Sequence, residues 1–239
     1  NIHAFREIKI NAQQVSIGGG TTLSDILHIP AMAEAAPSLF GAARVFGGQM
    51  VRNRATVAGN ICSGSPAADT VPPLLSLDAT ICLTNTEGCR IVSLDQYYTG
   101  FKTNLRRSDE LITGISWLVP SSNTANLFYK LARRKGDAIT VVGVAVTVTR
   151  EGDRCTHARI ALGSVGPTVF RAKDAEAVLA GGTVSEKLIN DAAQKAMEQS
   201  KPIDDLRASA NYRRHSVRVL TRRLITRAWN SLPEKTAYT

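Results

Sequence analysis

Aromatic residues are scarce, at 5% of the chain, and no apolar run reaches membrane-spanning length. Single-stranded nucleic acid is held on interleaved aromatics, so the formal net charge of +9, from 29 Lys+Arg against 20 Asp+Glu, is not by itself a nucleic-acid signature. Cysteine is confined to Cys62, Cys82, Cys89 and Cys155, with no CxxC pair, so spacing indicates neither a zinc site nor an iron-sulfur cluster. Each of the four reads as a buried or half-buried thiol, which with the lack of a signal-like start points to the cytoplasm. The histidines, His3, His28, His157 and His215, stand in unrelated contexts and read as surface or structural, and no metal site is expected. A dinucleotide fold is unsupported, because Leu23 stands where the third glycine after Gly18 and Gly20 belongs. Walker, HExxH and GxSxG patterns are missing as well.

What is present centres on residues 47–79, GGQMVRNRATVAGNICSGSPAADTVPPLLSLDA. Glycines allow close backbone approach and let successive N–H groups form an anion-binding concavity. Thr56 and Ser63 offer hydroxyls, Asn60 both donates and accepts, and Asp69 can accept from sugar hydroxyls. The stretch reads as a loop built for a phosphate-and-sugar ligand, although the same composition also suits an ordinary turn-rich connection.

With 239 residues, 44% of them hydrophobic, the chain can bury a substantial core and divides into two units, 1–120 and 121–239. In the first, Val15 to Ile17 reads as a strand and Thr22 opens a helix with Asp25 completing a capping-box variant. A helix from Pro30 to Phe46 should break or kink at Pro37. Thr80 to Thr84 and Arg90 to Ser93 form a hairpin, Leu94 to Tyr98 a short helix, and Leu111 to Leu118 a strand. In the second unit, Leu127 to Arg133, Thr140 to Thr149 and Thr156 to Leu162 predict a three-stranded antiparallel sheet. Helices over Ala172 to Ala180 and Ser185 to Gln199 follow, giving an α+β layering. Toward the C-terminus, Val217, Leu220, Leu224 and Ala228 recur at helical spacing among Arg207, Arg213, Arg214, Arg218, Arg222, Arg223 and Arg227. This predicts an amphipathic helix whose arginines face solvent or another subunit, with RNA as an alternative partner.

The order of the residues adds a resemblance. Arg52-Asn53-Arg54-Ala55-Thr56-Val57-Ala58-Gly59-Asn60, Ser65-Pro66-Ala67-Ala68-Asp69 and Pro72-Pro73-Leu74-Leu75 resemble the second flavin motif of the FAD subunits of molybdenum hydroxylases, the xanthine dehydrogenase and carbon monoxide dehydrogenase family. Ile17 to Leu23, Tyr129 to Arg134, Ala161 to Gly163 with Pro167 and Arg171, and Asp205 to Arg213 extend it along most of the chain. The resemblance implies the later part of a vanillyl-alcohol-oxidase-type (PCMH) FAD-binding domain followed by a C-terminal flavoprotein subdomain. It also implies FAD as cofactor, held by Thr56, Gly59, Asn60 and Asp69. Lys130 would sit near the isoalloxazine as the catalytically relevant cation, and Phe46 and Ile112 would pack on the cofactor. Arg133 and Arg134 are candidate contacts to phosphate or to a nicotinamide dinucleotide. Molybdopterin and iron-sulfur clusters are expected on a large and a small partner subunit, with NAD or a quinone as acceptor.

Two departures stand out. Ala58 replaces the first glycine of the usual pair, which narrows backbone approach. The family's first flavin motif precedes everything seen here, so the chain reads as a member lacking its N-terminal subdomain. A flavin-free assembly module and a basic nucleic-acid-binding protein are the rival readings.

Overall fold

A computed structural model of the chain describes residues 3–233. After a 3-10 turn at His3–Arg6, β1 (Ile8–Ile10) and β2 (Gln14–Gly18) pair antiparallel and lead into α1 (Leu23–His28). The capping box forms: the Thr22 hydroxyl accepts from the Asp25 amide at 3.1 Å, and the Asp25 carboxylate accepts from the Thr22 amide at 2.9 Å. The helix expected from Pro30 is divided at Ala36 into α2 (Met32–Ala35) and α3 (Pro37–Arg44), because Pro37 suits only a first turn.

Residues 47–79 are not the loop their composition suggests. They hold α4 (Gln49–Arg52), α5 (Val57–Cys62) and α6 (Val71–Ser76). The turn-forming residues serve as helix starts: Gly48 and Thr56 are N-caps, and Pro72 lies in the first turn of α6, where the chain has no carbonyl to satisfy with an N–H. Next come β3 (Thr80–Asn85), β4 (Gly88–Ser93), α7 (Leu94–Tyr97), the small ribbon β5 (Tyr98–Gly100) and β6 (Thr103–Asn104), and β7 (Leu111–Leu118). The main sheet of this unit is five-stranded and antiparallel, in the order β1-β2-β7-β3-β4. Cys82 on β3 and Cys89 on β4 are joined as a disulfide, which corrects the expectation of four thiols; Cys62 and Cys155 are free.

The second unit begins with the predicted meander, β8 (Thr124–Ala132), β9 (Thr140–Glu151) and β10 (Arg154–Gly163). A two-residue edge strand, β11 (Phe170–Arg171), makes the sheet four-stranded; it is too short to carry a readable period. The helices α8 (Lys173–Leu179), α9 (Glu186–Gln199) and α10 (Ala210–Asn230) complete the chain's described part.

The sequence of β9, TVVGVAVTVTRE, lacks alternation because both of its faces are covered. Val142, Val144, Val146 and Val148 enter one core with Ile160, Leu162, Leu179, Ala192 and Leu224. Ala145 and Ala161 point to the other core, shared with Leu74, Leu39 and Ile81 of the first unit. The second sheet therefore lies between α3 and α6 on one side and α8 and α10 on the other. Buried Asn126 ties the layers together. Its Oδ1 accepts from the Ser38 amide at 3.0 Å, and its Nδ2 donates to Ser76 Oγ at 3.1 Å and Thr147 Oγ1 at 2.7 Å. A polar residue in this position is tolerated because its hydrogen-bonding groups are met.

Candidate functional site

Two turns singled out by sequence lie back to back. The amide of Val57 donates to Thr21 O at 3.0 Å and that of Leu23 to Ala55 O at 3.0 Å, fastening the start of α5 to the start of α1. Thr56 caps α5, its Oγ1 accepting from the Gly59 amide at 2.9 Å. A Cβ on Gly59 would stand 2.9 Å from that same Oγ1, so glycine is what allows the cap to close. One turn further on, Asn60 Oδ1 accepts from the Thr70 amide at 3.1 Å and from Thr70 Oγ1 at 2.7 Å, which pins the start of α6.

Asp69, beside Thr70, is 8% exposed. Its Oδ2 accepts from Lys130 Nζ at 2.6 Å, and its Oδ1 accepts from Thr140 Oγ1. Lys130 Nζ also donates to Val45 O at 3.3 Å, and its side chain is only 6% exposed. Burial pushes the Asp69 pKa up, opposed by the Lys130 charge and by the bonds from Lys130 and Thr140. The carboxylate, which has no evident structural task in the sequence, thus joins β8 and β9 of the second unit to the helices of the first.

Two hydrogen-bonded groups adjoin through the peptide between Asp69 and Thr70: Asn60 holds Thr70, and Lys130 and Thr140 hold Asp69, while Thr56 and Gly59 open the helix that carries Asn60. Phe46 is half-buried on the first core, with its carbonyl taken by Arg52 Nη1 at 3.1 Å. The Ile112 side chain lies in that core, and its carbonyl crowds Gly19, where a Cβ would sit 2.0 Å from Ile112 O. Arg133 and Arg134 are spent on the backbone: Arg133 Nη1 donates to Leu206 O at 3.1 Å, and Arg134 donates to Gly136 O at 2.9 Å and Asp137 O at 2.6 Å. Among the arginines expected to face outward, Arg213 is instead 2% exposed, bonded to Val141 O, Ser164 O and Asp205. Arg214, Arg218, Arg222, Arg223 and Arg227 do form an exposed face of α10.

Sequence reading missed Thr140 and Thr21. Thr140 carries no local signal, since its partner is remote in the chain. Thr21 lies in the glycine turn already noted, and its Oγ1 is buried without a hydrogen-bond partner among the described residues. The donor set fits an anion. Among the described residues nothing accepts from Asn60 Nδ2 or from the Thr56 hydroxyl, whereas the carboxylate of Asp69 is held by two donors.

Fold and site together define a two-unit α+β protein that presents amide and hydroxyl donors beside a buried lysine, an arrangement for an anionic cofactor. Residues 1–122 match the family of the FAD binding domain in molybdopterin dehydrogenase, and residues 127–228 match the CO dehydrogenase flavoprotein C-terminal domain. The carbon monoxide dehydrogenase medium chain of Hydrogenophaga pseudoflava is 29% identical over 228 residues, 95% of this chain and 79% of that protein. The glyceraldehyde dehydrogenase medium chain of Sulfolobus acidocaldarius is 32% identical over 220 residues, 92% of this chain and 78% of that one. The solved carbon monoxide dehydrogenase from H. pseudoflava superposes with a TM-score of 0.93 at 30% identity, covering 97% of this chain and 80% of the matched one. The chain belongs to the family of FAD-binding medium subunits of the molybdenum hydroxylases.

Proposed function

We propose that this chain carries electrons within a molybdenum hydroxylase, receiving them from an iron-sulfur small subunit and passing them through FAD to NAD or a quinone. Substrate oxidation then belongs to a molybdopterin large subunit. The observation that carries the reading is that the first matched family segment supplies the donor cluster Thr56 to Asn60 while the second reaches the neighbouring Asp69 through Lys130 and Thr140.

FAD supplies the exchange between two-electron and one-electron steps. The protein's part is to bind and to set charge. Thr56 and Asn60 would donate to the pyrophosphate and ribityl oxygens and Gly59 would keep the approach open; Ala58, expected to narrow it, is instead buried in the first core and leaves it unobstructed. Lys130 supplies a fixed positive charge, favouring added negative charge on a reduced ring. Asp69 holds that ammonium in place, and a spare lone pair on its carboxylate remains for a ribityl or ribose hydroxyl. Half-buried Phe46 would pack against the ring, and Ile112, whose side chain lies in the first core, would support the site only from within that core. We assign residues 1–120 to the FAD-binding domain and 121–239 to the C-terminal subdomain.

Mixing the anaerobically reduced complex with NAD or with a quinone, and following flavin reoxidation, tests the relay and names the acceptor. Reoxidation by neither would remove the relay assignment. No helix among the described residues is long and apolar enough to cross a membrane. We place the assembly in the cytoplasm, whose reducing pool would open the Cys82–Cys89 bond seen in the structure. Thiol counting on unreduced, denatured protein decides this: four thiols agree with the cytoplasm, and two, from Cys62 and Cys155, contradict it.

A further inference from the structure

Away from the Thr56 cluster, a cavity of about 590 Å³ opens where four segments meet: Ser65 to Ala67 before α6, Phe101 and Lys102 in the β5–β6 turn, Ser164 to Pro167 after β10, and Lys201 to Arg207 before α10. Its chemistry is mixed. Pro66, Phe101, Pro167, Pro202 and Ile203 give it apolar walls, and Lys102 and Lys201 stand at it with no carboxylate paired to either among the described residues. Large apolar side chains are left in water around it: Phe101 is 60% exposed, Ile203 73% and, next to the lining residue Asp205, Leu206 97%. Scattered apolar residues need no explanation, but three such side chains gathered about one basic cavity mark a surface that another protein covers.

The floor is held rigidly in an uncommon conformation. Ser164 has φ of 64° and Lys102 of 55°, in the left-handed region that side chains rarely adopt. Ser164 is fixed from both sides, its amide donating to Pro66 O at 2.7 Å and its carbonyl accepting from Arg213 Nη1 at 3.0 Å. Its Oγ is buried with no partner among the described residues, as is Arg213 Nε. Unmet polar groups in a pre-formed floor are costly unless something completes them.

We infer that this cavity is the docking socket for a segment of a partner subunit that carries a large apolar side chain beside a carboxylate. The apolar side chain fills the proline- and phenylalanine-lined wall, and the carboxylate pairs with Lys102 and Lys201. This rests on the reading of the chain as a subunit, and it places the docking surface here instead of on the α10 arginines, which the sequence offered as facing solvent or another subunit. A small free anion with an apolar body is the competing occupant; the exposed Phe101, Ile203 and Leu206 favour a polypeptide, because a small ligand would leave them in water.

The test is recovery of the partner subunits with the tagged full-length chain, co-expressed as the native complex. Ile203→Asp and the double variant Lys102→Glu/Lys201→Glu sit at exposed positions outside the flavin cluster. Each is expected to weaken subunit association about thirtyfold, with flavin content of the recovered chain unchanged. A charge reversal on the exposed face of α10, Arg218→Glu/Arg222→Glu, should leave association unaltered. Full partner recovery with both socket variants would overturn the inference, as would loss confined to the α10 variant. So would saturable binding of benzoate, as a probe, to the isolated chain together with undiminished subunit recovery, which would assign the cavity to a small anion. If the unaltered chain recovers no partner at all, the subunit reading itself fails, an outcome distinct from the others.

Discussion

Replacing Asp69 by Asn keeps the side chain's shape and removes its charge, leaving the Lys130 ammonium in a place where its side chain is 6% exposed. The lysine keeps one carbonyl, Val45 O at 3.3 Å, but loses the 2.6 Å carboxylate contact, and Thr140 loses its charged acceptor. Removing one partner of a buried ion pair costs about 3–5 kcal/mol, because the remaining charge has been taken out of water without compensation. With a urea m-value of about 3 kcal/mol/M for a chain of this size, the unfolding midpoint should fall by about 1–1.7 M. Circular dichroism and tryptophan fluorescence, recorded together, report whether one transition covers both units. Asp69→Leu/Lys130→Met, which removes both charges, should recover most of the loss. A midpoint shift below about 0.3 M for Asp69→Asn would refute the argument that this pair anchors the two units to each other.

Further outcomes follow from other contacts. Glu110 accepts from Arg90 at 2.6 and 2.9 Å and from the Arg107 amide at 2.7 Å, and these bonds, Arg90's foremost, lower its pKa to about 2. A depressed folded-state value means that its contribution is complete above its ordinary value of 4.5 and is lost as pH falls toward 2; Glu110→Gln should therefore flatten stability across that window in acid titration. Thr56→Val removes the cap on α5 and should cost about 1 kcal/mol in urea while also reducing retained FAD. Gly19→Ala would set a methyl 2.0 Å from Ile112 O, between β2 and β7, and should abolish soluble folded protein, whereas Gly152→Ala, with open space around its Cβ position but φ of 61°, should cost only about 1 kcal/mol. Burial raises the Cys155 thiol to about 11, so a thiol reagent at neutral pH should label exposed Cys62 and leave Cys155 unmodified until the protein unfolds.

Much of this architecture was legible wherever local chemistry and tertiary packing agree. Leu111–Leu118 and the β3–β4 hairpin follow their alternation, the Thr22 box fixes the start of α1, and Ser185 caps α9 with its hydroxyl accepting from Leu188 N at 3.1 Å. Residues 47–79 misled because glycine, proline and threonine signal turns and helix starts alike, and helices of four to six residues carry too little periodicity to separate the two. The site was legible in part. The order of residues from Arg52 to Asp69 picked out Thr56, Asn60 and Asp69, and Lys130 came from a separate strand. That Asp69 and Lys130 meet, with Thr140 as third member, depends on how β8 and β9 cross the helices of the first unit, and no spacing in the chain encodes it. The position of Arg213, buried beneath Ser164, was hidden for the same reason among arginines that do face solvent.

The central claim is that the Thr56 to Asn60 cluster holds FAD in this subunit. Its most direct test is the flavin absorption of the purified complex, with the released flavin quantified after denaturation, for the unaltered chain and for Thr56→Val/Asn60→Ala. The account predicts stoichiometric FAD in the former and loss of most of it in the latter, with subunit association intact. Equal flavin content in the two would contradict it.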